Sequence, residues 1–130
     1  MKAMALDYGS ARTGVAVSDP SGTLARPVGV VERVRSDAGK ARLLELIRAE
    51  EPERIVVGLP LTLRGTRGEQ ARETERFVEE LRAAVAVPVE TFDERFTTTL
   101  AARSGGSTPE DARAAAHLLE SFLTWTSGAA

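Results

Sequence analysis

Five short apolar stretches, rich in Val, Ile and Leu, are spread along the chain. They occupy residues 1–6, 13–18, 27–34, 55–59 and 87–92. Runs of this length, bounded by Gly, Pro, Ser and Asp, predict β-strands. The first two strands are separated only by a short turn and therefore predict an antiparallel hairpin. The third follows a turn signal at residues 19–22 and extends the hairpin into a meander.

Helical spacing appears between and after the later strands. Leu43, Leu44 and Ile47 predict a first helix that Pro52 ends. The second helix has a predicted buried stripe formed by Thr74, Phe77, Val78 and Leu81. Thr66 and Glu69 have capping-box spacing at its start. The third helix is predicted to begin with Thr108 as N-cap and Pro109 at its first position, and to run to about Trp125.

The order of these elements predicts an α/β fold. Each of the last two strands follows a crossover helix and should lie parallel to the first strand. The prediction is a five-stranded mixed sheet, made of a three-strand antiparallel meander plus two parallel strands, with helices on both faces. Repeats, linkers and low-complexity tracts are absent from the sequence, so residues 1–130 are predicted to form one domain.

The composition narrows the class of protein. The chain has no cysteine, which excludes disulfides and thiolate metal sites. No apolar run is long enough to span a membrane, and the N-terminus does not resemble a secretory signal, so a cytoplasmic location is expected. The net charge of −2 is unlike that of a general nucleic-acid coat protein. Net charge is a poor guide here, because the negative charge of clustered carboxylates and the positive charge of a rim of arginines would cancel in the sum.

Two carboxylates are predicted to meet at one edge of the sheet. The parallel strands end at Asp7, at residues 58–60 and at Asp93-Glu94, and ligands of open α/β sheets bind beyond such strand ends. Asp7 is the only charge at an otherwise apolar strand end. Because a buried, unpaired charge is costly, this carboxylate needs a partner, and a divalent cation is one.

Asp111 is the third candidate acid. It shares a helix face with Ala115, Leu118 and Phe122, so it is expected to point at the sheet. Three carboxylates at one edge suit Mg²⁺ or Mn²⁺, which prefer oxygen ligands. Two such ions could activate a water and stabilise the leaving oxygen of a phosphodiester.

Each carboxylate also has a simpler interpretation. Asp7 could cap the hairpin turn, Asp111 could be a helix-start residue favoured by the helix dipole, and Asp93-Glu94 could form a solvated loop. His117 falls on a polar helix face and is expected to be exposed and inert. The loop at residues 64–68 has no Gly-Lys-Ser/Thr sequence, so it does not predict ATP binding.

Four segments resemble motifs of the YqgF/RuvX family, in the same order and over nearly the whole chain. The first two are residues 5–9 with 14–19 (ALDYG, GVAVSD) and residues 56–61 with Gly65, Thr66 and Gly68 (VVGLPL). The others are residues 88–89 with 93–98 (PV, DERFTT) and the terminal-helix residues Asp111, Ala115, Leu118, Leu119, Phe122 and Leu123.

The resemblance implies a ribonuclease-H-like nuclease. The family has been given two roles, trimming of the 5′ end of pre-16S rRNA and resolution of Holliday junctions. Carried over by motif, the catalytic and metal-binding acids would be Asp7, Glu94 and Asp111, with Asp93 as the alternative in second place. The substrate contacts would be Arg12, Arg95 and Thr97.

One segment departs from the family pattern. Between Thr99 and Asp111 the family has a longer stretch rich in Lys and Arg, whereas here only residues 100–110 intervene. Because basic side chains supply much of the affinity for phosphate backbones, this difference puts the grip on the substrate in doubt.

The prediction is therefore a Mg²⁺- or Mn²⁺-dependent endonuclease that acts on structured nucleic acid, either pre-16S rRNA or four-way junction DNA. One rival is a non-catalytic nucleic-acid-binding module on the same fold. The other is a sugar-kinase-like phosphotransferase, which the small size and the missing nucleotide loop oppose. No membrane partner is expected, and the oligomeric state stays open, with a homodimer as one option.

Overall fold

The computed structural model describes residues 1–60, 68–93 and 110–128, with side chains of the last range described from 112 to 124. Five strands and three helices occur in these ranges. They are β1 (Ala3–Asp7), β2 (Arg12–Ser18), β3 (Ala25–Glu32), α1 (Asp37–Glu50), β4 (Arg54–Leu59), α2 (Glu69–Ala84), β5 (Val89–Asp93) and α3 (Glu110–Gly128). The predicted element order is confirmed.

The five strands form one mixed sheet in the order β3-β2-β1-β4-β5. β1 pairs with β2 and β2 with β3 in antiparallel ladders, whereas β1 with β4 and β4 with β5 are parallel. The predicted meander with two added parallel strands is therefore confirmed. The strands β1, β4 and β5 end at the same edge of the sheet, and we call this the carboxyl edge.

Alternate residues of each strand fill two separate cores. Met4 and Leu6 of β1 belong to the layer under α1 and α2, together with Phe77 of α2. Ala3 and Ala5 belong to the layer under α3. This second layer contains small residues on both sides, the helix contributing Ala115 and Ala116, so α3 can approach the sheet closely. Helices thus cover both faces, as predicted.

The helix α2 confirms one prediction and corrects another. All four residues of the predicted stripe, from Thr74 to Leu81, are buried. The predicted capping box is wrong, because the helix begins at Glu69 and its N-cap is Gly68 with no side-chain cap bond. Glu69 is therefore the first helical residue and not the third residue after a cap. At this position its negative charge interacts favourably with the positive end of the helix dipole.

The helix α3 buries the face that the spacing predicts. Ala115, Leu118 and Phe122 are all buried, and the helix extends beyond Trp125 to Gly128. The predicted start at Thr108 and Pro109 lies outside the described residues. The prediction for His117 is wrong in part, since its ring is half-buried and Nδ1 lies 3.0 Å from Glu120 Oε1. None of the helices described is both long and apolar enough to cross a membrane.

Candidate active site at the carboxyl edge

Asp7 ends β1 on the sheet face that α3 covers. Side chains alternate along a strand, so Asp7 points to the same side as Ala3 and Ala5, which pack under α3. The residue is half-buried. The register therefore places a carboxylate at the carboxyl edge, on the face whose covering helix contains Asp111.

Glycines adjoin Asp7 on both neighbouring strands. Gly14 of β2 is its direct antiparallel partner. On the other side Leu6 pairs with Val57, so Asp7 is level with Gly58 of β4. Residues at the same level of paired strands point to the same face, and neither glycine has a side chain there. The residues level with Asp7 on both neighbouring strands therefore contribute no side chain to its face of the sheet.

The turn after Asp7 has its own closing side chain. The buried Thr13 hydroxyl donates to the Gly9 carbonyl oxygen at 3.2 Å, and it accepts from the Gly9 N–H at 3.4 Å. Thr13 therefore performs the turn-closing role that the sequence had offered as an alternative function of Asp7.

Asp93 ends β5 on the opposite face of the sheet. It pairs with Leu59, and the preceding pair is Gly58 with Phe92. Phe92 packs under α3, so Asp93 points towards the layer of α1 and α2, away from the face of Asp7. The predicted site residues Glu94, Arg95 and Thr97 lie outside the described residues.

Asp111 and Arg12 occupy described elements. The backbone of Asp111 lies in the first turn of α3, and its side chain is outside the described part. Arg12 begins β2 with an exposed side chain. Arg12 precedes Gly14, the partner of Asp7, by two residues. It therefore lies about 7 Å along β2 from the level of Asp7, in the direction in which β1 ends. Arg12 is therefore at the carboxyl edge.

Tyr8 fastens the end of β1 to α2, a contact that sequence reasoning missed. Its hydroxyl donates a 2.6 Å hydrogen bond to Glu73 Oε2, and its ring stacks on Phe77 with centroids 4.7 Å apart. Burial, with the hydrogen bond and negative charge of Glu73, raises the pKa of Tyr8 to about 12, although Arg35 acts in the other direction. One indication of this contact was present in the sequence: neighbouring residues along a strand point to opposite faces, so the residue after Asp7 should face α2.

An open cleft of about 260 Å³ lies between the end of β1 and the start of α2. Its lining includes Asp7, Tyr8, Ser10, Gln70 and Glu73. The cleft is polar, with two carboxylates among these residues. Within the described ranges, no three His, Cys, Asp or Glu residues are grouped closely enough to hold a metal ion.

The chain matches a known protein family by sequence. The family model described as RuvX, Holliday junction resolvase, matches residues 1–125. A protein of Roseiflexus sp. (strain RS-1), with the name "Putative pre-16S rRNA nuclease", is 44% identical over 102 residues, which are 78% of this chain and 72% of that protein. A protein of the same name from Chloroflexus aurantiacus (strain ATCC 29366 / DSM 635 / J-10-fl) is 42% identical over 98 residues, 75% of this chain and 64% of that protein.

A solved structure of T. thermophilus RuvC in complex with Holliday junction substrate has a similar fold. Its TM-score is 0.63 at 19% sequence identity, and the match covers 98% of this chain and 97% of that chain. RuvC has the ribonuclease-H-like fold, so the match confirms the fold that the motifs imply.

Proposed function

Because the chain belongs to the RuvX Holliday junction resolvase family, we propose that it is a metal-dependent nuclease that hydrolyses phosphodiester bonds in structured nucleic acid. The observation that carries this proposal is the position of Asp7. A half-buried carboxylate stands at the carboxyl edge, between two glycine positions, on the face covered by the helix that contains Asp111. Ligand sites of open α/β sheets occur at such edges.

The proposed metal ligands are Asp7, Glu94 and Asp111. Carboxylate oxygens are the ligands that Mg²⁺ and Mn²⁺ prefer, and Asp7 is flanked on both neighbouring strands by glycines, Gly14 and Gly58. A bound ion would supply Lewis acidity and a more acidic water. The role of the chain is to hold these oxygens at the dry edge of the sheet and to orient the phosphodiester.

Strand alternation favours Glu94 over Asp93 as the second acid. Asp93 points towards the α1 and α2 layer, whereas Asp7 points towards α3. The described register therefore gives Asp93 no support as a partner of Asp7 in one metal site. This supports the family motif assignment, in which Glu94 is the ligand.

The direction of α3 supports Asp111 as the third acid. The guanidinium carbon of Arg54 lies 4.7 Å from the centroid of the Phe122 ring in α3. Arg54 begins β4, at the edge of the sheet opposite Asp7. Asp111 is eleven residues earlier in the helix, about 16 Å along its axis. A helix that reaches the far edge at Phe122 would begin near the carboxyl edge.

We propose Arg12, Arg95 and Thr97 as the substrate contacts. Arg12 has an exposed guanidinium at the carboxyl edge, and its planar donors suit phosphate oxygens. The names of the relatives favour pre-16S rRNA as substrate, and the family description favours four-way junction DNA as the second candidate. Both substrates are consistent with a cytoplasmic protein, and a homodimer stays a prediction.

The test is cleavage by the purified protein with Mg²⁺ or Mn²⁺. The two probes are an end-labelled pre-16S rRNA leader transcript and a four-way DNA junction, each incubated with wild type and Asp7→Asn. Asp19→Asn is the matched control, because Asp19 lies in the turn between β2 and β3 at the opposite edge. We expect cleavage by wild type and the control only. Tight binding without cleavage of either probe would favour the non-catalytic module instead.

A further inference from the structure

A groove with three arginines lies beside the candidate active site. It is formed by the β1–β2 turn, the end of β3 and the first turns of α1, and we call it the arginine groove. Its lining includes Arg12, Glu32, Arg33, Ser36, Gly39 and Arg42. The groove is open and measures about 1230 Å³, more than most small-molecule pockets.

The arginine groove lies at the same edge as Asp7. Asp7 pairs with Gly14 of β2, and Arg12 at the start of β2 pairs with Glu32 at the end of β3. The helix α1 follows β3 directly, so its N-terminal half is also at this edge. Asp7 faces α3 whereas α1 packs on the other face of the sheet, so a polymer bound at Asp7 would reach the groove by passing over the carboxyl edge.

Arg33 is held in a conformation that a non-glycine residue seldom adopts. Its φ is 44°, in the left-handed region. The other described non-glycine residue with positive φ is Glu51, which caps the C-terminus of α1, where this conformation is usual. Arg33 caps no helix C-terminus. Such conformations persist where the surrounding structure imposes them, and they tend to cluster at functional sites.

Backbone contacts fix Arg33 firmly in place. Its N–H donates to the Ala11 carbonyl oxygen, and its own carbonyl oxygen accepts from the N–H of Ser36 at 2.9 Å and from the Ser36 hydroxyl at 2.7 Å. Gly39 lies so close that an added Cβ would collide with the Arg33 carbonyl oxygen. The backbone that carries this arginine is therefore fixed before any ligand binds.

Arg33 and Arg42 form no ion pair with any carboxylate in the described part of the chain. Other arginines do pair, as Arg35 does with Glu80 and Arg54 with Glu90. In residues 1–60, 68–93 and 112–124, no carboxylate forms an ion pair with Arg33 or Arg42, and both side chains are exposed. Two exposed guanidinium groups in one groove attract a polyanion.

We propose that the arginine groove binds the sugar-phosphate backbone of the nucleic-acid substrate away from the scissile phosphate, with Arg33 and Arg42 as phosphate contacts. The inference rests on the proposed function, since it concerns the same substrate. The family has a longer stretch rich in Lys and Arg between the positions of Thr99 and Asp111. The arginine groove would supply phosphate contacts in place of those basic residues. It binds backbone phosphates, so it acts on RNA and junction DNA alike.

The test measures binding in metal-free buffer, where cleavage does not interfere. The probes are a fluorescein-labelled four-way DNA junction and a fluorescein-labelled RNA hairpin with a single-stranded 5′ extension. The variant is Arg33→Gly with Arg42→Gln, because glycine accepts a positive φ and preserves the backbone. Arg48→Gln is the control for loss of a positive charge outside the groove, because Arg48 is exposed near the C-terminal end of α1 at the opposite edge. Circular dichroism melting checks that each variant is folded.

We expect the double variant to bind both probes about tenfold more weakly at about 100 mM salt, with a slope of log affinity against log salt reduced by about 1.5. Arg48→Gln should match wild type, and Arg33→Lys should keep most of the slope. Equal affinity and equal salt dependence in wild type and the double variant would overturn the proposal that the arginine groove binds nucleic acid. Wild-type binding without cleavage in Mn²⁺ would defeat the nuclease proposal alone, and no wild-type binding would defeat both.

Discussion

The hydroxyl of Tyr8 lies 2.6 Å from Glu73 Oε2, a hydrogen bond between residues that are 65 positions apart. It ties the end of β1, where Asp7 stands, to the first half of α2. Because Tyr8 directly follows Asp7, the last residue of β1, the bond restrains the backbone that positions the candidate metal ligand. Tyr8 is thus a positioning residue that touches the site from the opposite face of the sheet.

Removing this hydrogen bond should destabilise the fold. Tyr8→Phe retains the ring that stacks on Phe77 but leaves the half-buried Glu73 without its donor. We expect the free energy of unfolding to fall by about 1–2 kcal/mol, measured by urea denaturation at pH 7. An unchanged value would mean that water satisfies Glu73 as well as the phenol does.

The ionisation of Tyr8 can be observed directly, because Tyr8 is the single tyrosine of the chain. Its pKa is raised to about 12, from 10.0, so phenolate absorbance should rise near pH 12 in the folded protein. The raised pKa means that its contribution to stability is complete below pH 10 and is lost as the pH rises through 12. The urea midpoint should therefore fall in this window, and Tyr8→Phe should show less of that fall. A phenolate midpoint near 10 would contradict the burial of this group.

Asp7→Asn should abolish most cleavage while preserving the fold. The substitution keeps the shape of the side chain and removes its negative charge. We expect the rate to drop at least about a hundredfold, as for loss of a catalytic metal ligand. Binding of the same probes should survive, because phosphate contacts come from arginines. Full activity of Asp7→Asn would reject the catalytic assignment.

Metal binding should stabilise the wild-type protein. An ion that binds only the folded state adds about 2.7 kcal/mol when its concentration is a hundred times its Kd. Addition of Mn²⁺ should raise the melting temperature of wild type and of Asp19→Asn, with little effect on Asp7→Asn. In crystals soaked with Mn²⁺, density should lie about 2.0–2.6 Å from carboxylate oxygens of at least two of Asp7, Glu94 and Asp111. Equal shifts in all three proteins would place the ion elsewhere.

Gly39→Ala should weaken the junction between α1 and the turn before it. The added Cβ would collide with the backbone of Arg33 and Glu32, and backbone cannot give way as a flexible side chain can. We expect a loss of about 1–3 kcal/mol in the free energy of unfolding. Gly29→Ala is the control, because nothing lies within 4 Å of a Cβ built there. Equal stability of the two variants would show that α1 can shift at no cost.

Local patterns in the sequence determined the elements and their order. Short apolar runs bounded by turn residues predicted all five strands. Helical spacing predicted the buried faces of α2 and α3, because side-chain direction repeats with the geometry of a helix. The same rules placed Asp7 at the end of a parallel strand. These patterns did not predict the start of α2 correctly. Several polar residues in a Gly-rich stretch can cap a helix, and spacing alone does not choose among them.

What only the tertiary structure decided is which distant residues share a surface. The face of Asp93 followed from the register of β5 against β4, and a shift of one residue would have reversed it. The bond from Tyr8 to Glu73 and the place of Arg33 beside Arg42 depend on how α1 and α2 pack on the sheet. Packing of this kind sums many weak contacts between residues far apart in the chain, so no local pattern encodes it.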